Sequence, residues 1–195
     1  MLNLSPSEQA MAAGEQGPAV KRALDIVCAL ARAAGADRLV EVASVQVAGV
    51  SYKNIGEAGL EFLEQWAAEG GRAQVPAWMN PCGADLAAWK ELGYPREFIS
   101  RQLRVVDALE RLGVQSSLTC APYHVAEPPA AGAHLAWSES SAVSVANSVF
   151  GARTNREGGP SALAAALCGR TPLSGYHLDA VRRATHRVRV RCHLA

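Results

Sequence analysis

Apolar runs of strand length alternate along this chain with amphipathic helical segments, and that alternation limits the possible folds more than any other feature. Pro18 opens a predicted helix in which Val20 and Leu24 lie on one apolar face. Gly35 ends this helix, and residues 39–47 follow as an apolar, β-branched run that is typical of a strand. Helix, strand and the loop after the strand form one unit.

The same order recurs twice more. A helix around residues 60–68 precedes a predicted strand over 73–78, and a longer helix after Pro95 ends at Gly113 before a predicted strand over 114–119. Strands that alternate with helices are typical of α/β proteins in which helices cover a parallel sheet. The sequence therefore predicts an α/β fold, with a mostly parallel sheet and flanking helices.

Three further segments have clear local patterns. A short helix is predicted after Ser5, and another over residues 140–150. Residues 185–195 alternate apolar with basic side chains, as a half-exposed strand does. Residues 128–132 are predicted to form a flexible surface loop. The chain length of 195 residues is compatible with one large domain or two small ones.

Charge and hydropathy exclude several classes of function. Nineteen Lys and Arg residues balance eighteen Asp and Glu residues, so no general basic field is available for nucleic acid or an anionic membrane. The first residues lack the basic and apolar regions of a secretory signal. No apolar run approaches the roughly 20 residues of a membrane helix. These features favour a cytoplasmic protein that binds neither nucleic acid nor membrane.

The cysteines are scattered, with no pair at CxxC spacing, which argues against a disulfide framework and a local zinc site. Cys28 and Cys168 lie in helical segments and are predicted to pack in the core. Cys120 follows a predicted strand, which suits a metal ligand or a nucleophile paired with His124 or His134, although a buried, inert thiol fits the same spacing.

Loops that follow parallel strands meet at one edge of a sheet, where ligands usually bind. Residues 49–54, 79–85 and 120–124 have this position in the predicted fold. The second of these loops also contains Cys82, whose role the pattern leaves open. We therefore expect a binding site where these three loops converge.

Two polar groups lie near the predicted helix over 140–150. Glu139 and Ser140 bring a carboxylate, a hydroxyl and backbone N–H groups to a helix start, which suits either anion binding or ordinary capping. Arg153 and Arg156 follow the helix among glycines. Their guanidinium groups suit phosphate or carboxylate recognition, and a solvated loop is the alternative.

Several segments together resemble the aconitase X family. They are SVQVAGVSY at 44–52, MNP at 79–81, TCAPY at 119–123 and a long block at 137–172 that begins WSESSAVSVANSVFGARTNREGG. The resemblance spans nearly the whole chain, and the long block is its most specific part. It implies an aconitase-like catalytic region, and it identifies residues 1–195 as the amino-terminal portion of a large subunit about twice as long.

The resemblance also implies a cofactor and a set of site residues. Members of the family resemble aconitase in using an iron-sulfur cluster, expected to be a four-iron, four-sulfur type, in which three cysteines leave one iron open as a Lewis acid. Cys120 matches the first of the three cluster ligands. The positions that match substrate-contacting loops are Gly49, Val50, Ser51, Asn80, Pro81, Glu139 and Ser140.

The implied activity is a dehydration. The branch that these segments resemble converts (R)-5-phosphomevalonate into trans-anhydromevalonate 5-phosphate, in a mevalonate route to isoprenoids. A sister branch dehydrates cis-3-hydroxy-L-proline, and a non-catalytic remnant of the large subunit is a third interpretation. The sequence departs from the family at Cys82 and Ala84, where Ala and Met are usual.

The resemblance implies partners as well. The other two cluster cysteines belong to the carboxyl-terminal half of the large subunit, which is expected to follow residue 195. A small subunit, similar to the swivelling domain of aconitase, supplies the serine base. Neither part is present in these 195 residues, so the chain alone is expected to form about half of an active site.

Overall fold

The computed structural model describes residues 2–191, in which long helices are interspersed with short strands. The helices are α1 (Pro6–Ala13), α2 (Pro18–Ala33), α3 (Tyr52–Ala68), α4 (Arg96–Arg111), α5 (Ser140–Ser148) and α6 (Gly159–Cys168). The strands are β1 (Leu39–Glu41), β2 (Val45–Val47), β3 (Ala77–Met79) and β4 (Arg170–Pro172). Short 3-10 turns lie at Pro122–His124, Gly175–His177 and Asp179–Arg182.

Helix α6 forms the centre of the main core. Residues 162–168 are each at most 1% exposed, and all of them are Ala, Leu or Cys. A helix that is apolar on every side must be covered on every side. Helix α2 covers α6 with a face that includes Val20, Leu24 and Val27, as predicted, and β2 also packs against α6. The small alanine side chains allow these neighbours to approach closely.

Regular strand pairing is limited to two short ladders in the described residues. Strands β2 and β3 pair in parallel, with Val45 opposite Ala77, whereas β1 and β4 pair antiparallel. Isolated parallel bridges continue the β2–β3 pair, through Gln115 on one side and Ala136 on the other. The α/β fold is confirmed, but the prediction of one mostly parallel sheet is not.

Local backbone geometry explains why the longer predicted strands are broken. The run over 39–47 divides into β1 and β2, because β1 turns to its antiparallel partner β4. The segment 114–119 makes only the bridge at Gln115, since Leu118 has a positive φ of 46° that interrupts extended structure. The strand over 185–195 is wrong within residues 185–191, which have no regular secondary structure, and residues 192–195 lie outside the described residues.

The helix predictions are closer to the structure, with one correction. The segments after Ser5, Pro18 and Pro95 and the segment over 140–150 all contain helices. The predicted loop over 49–54 is shorter than expected, however, because α3 begins at Tyr52, eight residues before the predicted helix around 60–68. Gly56 interrupts this first part of α3 with a φ of 61° and a ψ of −168°, so the helix bends where the sequence has its GEAG run.

The parallel arrangement brings several chain segments to one edge. Residues 48–51 follow β2, and residues 80–85 follow β3. Residues 138–140 follow the segment that pairs with β2 through Ala136. The predicted convergence of loops at the carboxyl ends of parallel segments is therefore present. Within residues 2–191, no helix combines the length and the apolar character needed to cross a membrane.

A smaller apolar cluster lies beneath α5. It consists of Leu135, Trp137, Ala142, Ala146 and Ala152. Next to this cluster, Nδ1 of His177 lies 2.9 Å from Nδ1 of His134, and His177 is only 1% exposed. Burial, together with repulsion from His134, Arg153 and Arg182, lowers the pKa of His177 to about 4. The pKa of His134 is also lowered, chiefly by burial.

Acid is therefore expected to loosen this region. The unfolded chain protonates His177 near its ordinary pKa of 6.5, whereas the folded chain resists protonation down to about 4. The stabilisation is present above pH 6.5 and is lost as the pH falls from 6.5 toward 4. We expect the free energy of unfolding to fall over this range by about 1–3 kcal/mol more in the native chain than in a His177→Gln variant.

Urea denaturation at stepped pH measures this difference. His124→Gln removes an exposed histidine of the same chain and should keep the native pH dependence. The prediction would be contradicted if the free energy of unfolding depended on pH equally in the native chain and in His177→Gln.

Candidate functional site

Hydrogen bonds around one buried side chain join three of the predicted site residues. Gln46, in the middle of β2, is 0% exposed. Its Nε2 donates to the carbonyl of Cys120 at 3.1 Å, and its Oε1 accepts from the backbone N–H of Glu139 at 3.1 Å. The Nδ2 of Asn80 in turn donates to Oε2 of Glu139 at 3.1 Å. The structure thus brings together the loops after 79, 119 and 138.

Glu139 caps α5 and is held from two sides. Its Oε1 accepts from the backbone N–H of Ser140 at 3.0 Å and from the Ser140 hydroxyl at 3.1 Å, while Oε2 accepts from Asn80. These contacts fix the carboxylate at the helix start, where negative charge is favoured. The capping role anticipated from the sequence is therefore real, and it occurs inside the group of converging loops.

Asn80 has a buried oxygen without a partner. The residue is 7% exposed, and its backbone N–H donates to the Val47 carbonyl at 2.9 Å. Its Oδ1, however, has no hydrogen-bond partner among residues 2–191. A buried acceptor of this kind costs roughly 1–3 kcal/mol unless a donor reaches it. A ligand hydroxyl or amide at this position would satisfy the Asn80 oxygen.

The remaining predicted residues lie on two loops that contact each other. Val50 is buried, Ser51 is half-buried, and Gly49 is exposed. Pro81 is exposed and lines an open cleft of about 480 Å³, together with residues 82–86, Tyr94 and Leu118. The buried side chain of Gln102 hydrogen-bonds to both loops, at the Val50 carbonyl and the Gly83 N–H.

Cys120 is exposed, so the interpretation of a buried, inert thiol is wrong for this residue. The positive φ of Leu118, two residues earlier, redirects the chain into the Cys120 loop. Partial burial of the sulfur, and to a lesser extent the negative charge of Glu139, raise the pKa of the Cys120 thiol. No histidine contributes to this shift, and the His134 ring is engaged with His177. The geometry therefore gives little support to a Cys–His nucleophile.

The other described cysteines differ in how deeply they are buried. Cys28 and Cys168 are buried in the core, as predicted, and burial raises the pKa of the Cys168 thiol to about 12. Cys82 is half-buried, and its thiol donates to the Ala84 carbonyl at 3.0 Å.

The donor set fits only part of an iron-sulfur site. In residues 2–191, no three His, Cys, Asp or Glu side chains are grouped so as to hold a metal ion. The exposed thiol of Cys120 suits a single cluster ligand, since a thiolate must reach the cluster from an accessible loop. The described residues can therefore contribute one ligand to such a cluster and cannot hold it alone.

The two arginine candidates have different surroundings. The guanidinium of Arg153 donates to the His177 carbonyl at 3.0 Å and pairs with the Asp179 carboxylate. This internal contact makes Arg153 a link to the 3-10 turns rather than a ligand group. Arg156 is exposed, and its backbone bridges to Trp137, two residues before Glu139.

Sequence reasoning missed two residues of the site, Gln46 and Gln102. Both are 0% exposed glutamines. Gln46 stands alone among the apolar residues of its strand, and Gln102 falls on the buried face of α4. A polar residue in an apolar stripe was the available signal, because such a residue needs partners when it is buried.

The fold and the converging loops define an α/β protein with a candidate binding site at one edge, and comparison with known proteins gives the family. A family model described as aconitase X first domain matches residues 1–180. The chain belongs to the aconitase X family, as the resemblance implied.

Three known proteins illustrate the relationship. The chain is 53% identical over 192 residues to the phosphomevalonate dehydratase large subunit of Methanothermobacter thermautotrophicus, covering 98% of this chain and 48% of that protein. It is 39% identical over 181 residues to the cis-3-hydroxy-L-proline dehydratase of Pseudomonas aeruginosa, covering 93% and 31%. The holo-form crystal structure of Thermococcus kodakaraensis aconitase X superposes with a TM-score of 0.86 at 48% identity, covering 94% and 45%. The chain spans about half the length of the large subunits that it matches.

We expect the hydrogen bonds of Gln46 to stabilise the loops at this edge and the fold as a whole. Gln46→Leu leaves the Glu139 N–H and the Cys120 carbonyl without their partner, at roughly 1–3 kcal/mol for each group that stays buried. The free energy of unfolding should therefore fall by about 2–4 kcal/mol, as measured by urea denaturation.

Gln115→Leu provides a matched control, because Gln115 also lies in the parallel layer but its side chain is exposed. This variant should stay within about 0.5 kcal/mol of the native chain. Equal losses in the two variants would show that the Gln46 contacts contribute nothing specific.

Proposed function

We propose that this chain supplies the amino-terminal part of a phosphomevalonate dehydratase large subunit. The reaction is the dehydration of (R)-5-phosphomevalonate to trans-anhydromevalonate 5-phosphate. A proton leaves the carbon next to the carboxylate, and hydroxide leaves the neighbouring carbon. Family membership supports a dehydratase, and identities of 40–53% to five large subunits of that name, against 39% and 33% to the hydroxyproline enzymes, favour the phosphomevalonate branch.

The observation that carries the proposal is the hydrogen-bonded group of Asn80, Glu139 and the Cys120 loop. Three segments separated widely in sequence meet there, and Gln46 holds them together from beneath. In the proposed site, the unpartnered Oδ1 of Asn80 accepts a hydrogen bond from a substrate hydroxyl. Glu139 positions Asn80, because both of its oxygens already accept hydrogen bonds from the protein.

The other proposed substrate contacts come from the loop ends. Residues 49–51 and Pro81 border the same edge, where the backbone N–H groups of residues 49–51 can donate to a carboxylate or phosphate, whereas Pro81 has no N–H and can offer only apolar contact. Ser140 lies at the start of α5, where an anion is favoured. Arg156 is exposed near this edge and is our candidate for the phosphate group, since a guanidinium binds phosphate oxygens in pairs.

An iron-sulfur cluster is part of the proposal, with Cys120 as one of its ligands. When bound, the cluster supplies a Lewis acid that stabilises the negative charge of the departing hydroxyl. Partial burial and the Glu139 charge raise the pKa of the Cys120 thiol, so binding a metal, which requires the thiolate, would release a proton. We propose that the remaining half of the large subunit and a small subunit complete the ligand set and supply the base.

A chimeric large subunit tests this function. Residues 1–180 of this chain replace the matching portion of the Methanothermobacter thermautotrophicus large subunit, and the complex is assembled with that organism's small subunit. We expect dehydration of (R)-5-phosphomevalonate and none of cis-3-hydroxy-L-proline, measured by formation of the unsaturated product. Turnover of the hydroxyproline alone would move the chain to the sister activity, and turnover of neither would support a non-catalytic remnant.

Cys120→Ser in the same complex tests the ligand. A Lewis acid contributes several kcal/mol to this type of step, so we expect activity to fall on the order of 100-fold or more, with loss of protein-bound iron. Cys28→Ala is the matched control, because Cys28 is buried on α2 away from the loops. Full iron content and activity in Cys120→Ser would exclude Cys120 as a ligand.

A further inference from the structure

Gln102 uses both ends of its side-chain amide to bind two separate loops. It lies on α4 and is 0% exposed. Its Oε1 accepts from the backbone N–H of Tyr52 at 3.0 Å and from that of Gly83 at 3.1 Å. Its Nε2 donates to the carbonyl of Val50 at 2.7 Å. One side chain therefore contacts the loop after β2 and the loop after β3.

The contact to Tyr52 supplies a cap that α3 otherwise lacks. Tyr52 is the first residue of α3, so its N–H has no acceptor within the helix. Ser51, the residue before it, makes no side-chain capping hydrogen bond. The Oε1 of Gln102, which belongs to the neighbouring helix α4, accepts the hydrogen bond of the Tyr52 N–H instead. The position of the α3 start, and with it of residues 49–51, therefore depends on α4.

The two loops also pack directly on each other. A Cβ atom at Gly83 would collide with the Ser51 hydroxyl and would come within 2.9 Å of the Gln102 Oε1. Glycine at position 83 therefore lets the second loop approach the first. Any shift of Gln102 would change the separation of the two loops.

Contacts on the outside of α3 are weaker anchors. The Tyr52 hydroxyl donates to Glu57 at 2.9 Å, and the Arg101 guanidinium lies 5.5 Å from the centre of the Tyr52 ring. The Glu57 and Arg101 side chains are more than 40% exposed, and exposed charged pairs contribute little to stability. The buried amide of Gln102 is the main constraint on this junction.

We propose that Gln102 is a positioning residue that sets the separation between residues 49–52 and residues 80–85, so that both loops meet the substrate together. This inference rests on the proposed role of these loops in substrate binding. Only an amide suits the position, because the site requires an acceptor for two N–H groups and a donor for one carbonyl. Carboxylate and thioether side chains lack the donor.

Hydrogen exchange on the 195-residue chain tests the coupling itself. In Gln102→Met, we expect the amides of Tyr52 and Gly83 to exchange about tenfold faster, while those of α2 and α6 keep their protection. Gln102→Glu keeps an acceptor for both amides and should leave them better protected than Gln102→Met does. Gln65→Met, an exposed glutamine on α3, is the matched control and should leave both amides unchanged.

Two exchange results would overturn the coupling. One is unchanged protection of Tyr52 and Gly83 in Gln102→Met. The other is an equal loss of protection throughout α2 and α6, which would indicate general destabilisation. If Gln102→Met does not fold, exchange of the same two amides in Gln102→Glu decides the question. This variant lacks the donor to Val50 but keeps the acceptor, so the amide of Tyr52 should lose more protection than the amide of Gly83.

Kinetics of the chimeric complex test the consequence for the substrate. Gln102→Met should raise KM for (R)-5-phosphomevalonate about tenfold and change kcat by less than about threefold, because misplaced loops weaken binding before chemistry. Leu24→Ala lowers stability in the core away from the loops and should leave KM unchanged. An unchanged KM in active Gln102→Met would overturn the positioning role. If the unmodified chimera is inactive while the exchange result holds, the proposed function fails and the coupling stands.

Discussion

The site depends on one constraint, which is that an amide buried in an apolar layer must have its hydrogen bonds satisfied. Gln46 occupies the centre of β2, whose three residues are all buried. Its partners come from residues 119–120 and 139, and its own carbonyl accepts from Ser138 at 2.6 Å. Each such group left unsatisfied costs roughly 1–3 kcal/mol. The buried Gln46 side chain needs these hydrogen bonds for β2 to pack in the core, and the same hydrogen bonds hold the loops in place.

Close packing beneath the loops also restricts their movement. A Cβ atom at Gly159, the first residue of α6, would lie only 2.5 Å from the Ala48 carbonyl. The start of α6 therefore presses against the chain just before Gly49. Because residues 162–168 are small or apolar and fully buried, the helix cannot shift without disturbing the core. A rigid helix on one side and a buried amide on the other leave the Gly49 loop little freedom.

Local sequence pattern predicted the helices after Pro18 and Pro95 and the edge at which the loops meet. It failed where long-range partners decide the outcome. Periodicity cannot show that β1 leaves its run to pair with β4, or that Gln46 and Gln102 bind loops 19 to 93 residues away. Arg153 has a suitable side chain for phosphate, but Asp179 and the His177 carbonyl occupy it. Position in the chain had made Cys120 and Glu139 candidates, and the family resemblance added their expected roles as a cluster ligand and a substrate-contacting residue.

The electrostatics of Cys120 distinguish between the two chemical roles that its position allows. A nucleophilic cysteine needs a lowered pKa, usually from a neighbouring cation or histidine. Here partial burial and the Glu139 carboxylate raise the pKa, so the thiolate is disfavoured in the protein alone. A metal ligand faces no such difficulty, because the charge of the metal replaces the proton. The Glu139 carboxylate, the smaller of the two causes, is held in place by hydrogen bonds from Asn80 and Ser140. The surroundings of Cys120 thus suit a metal ligand better than a nucleophile.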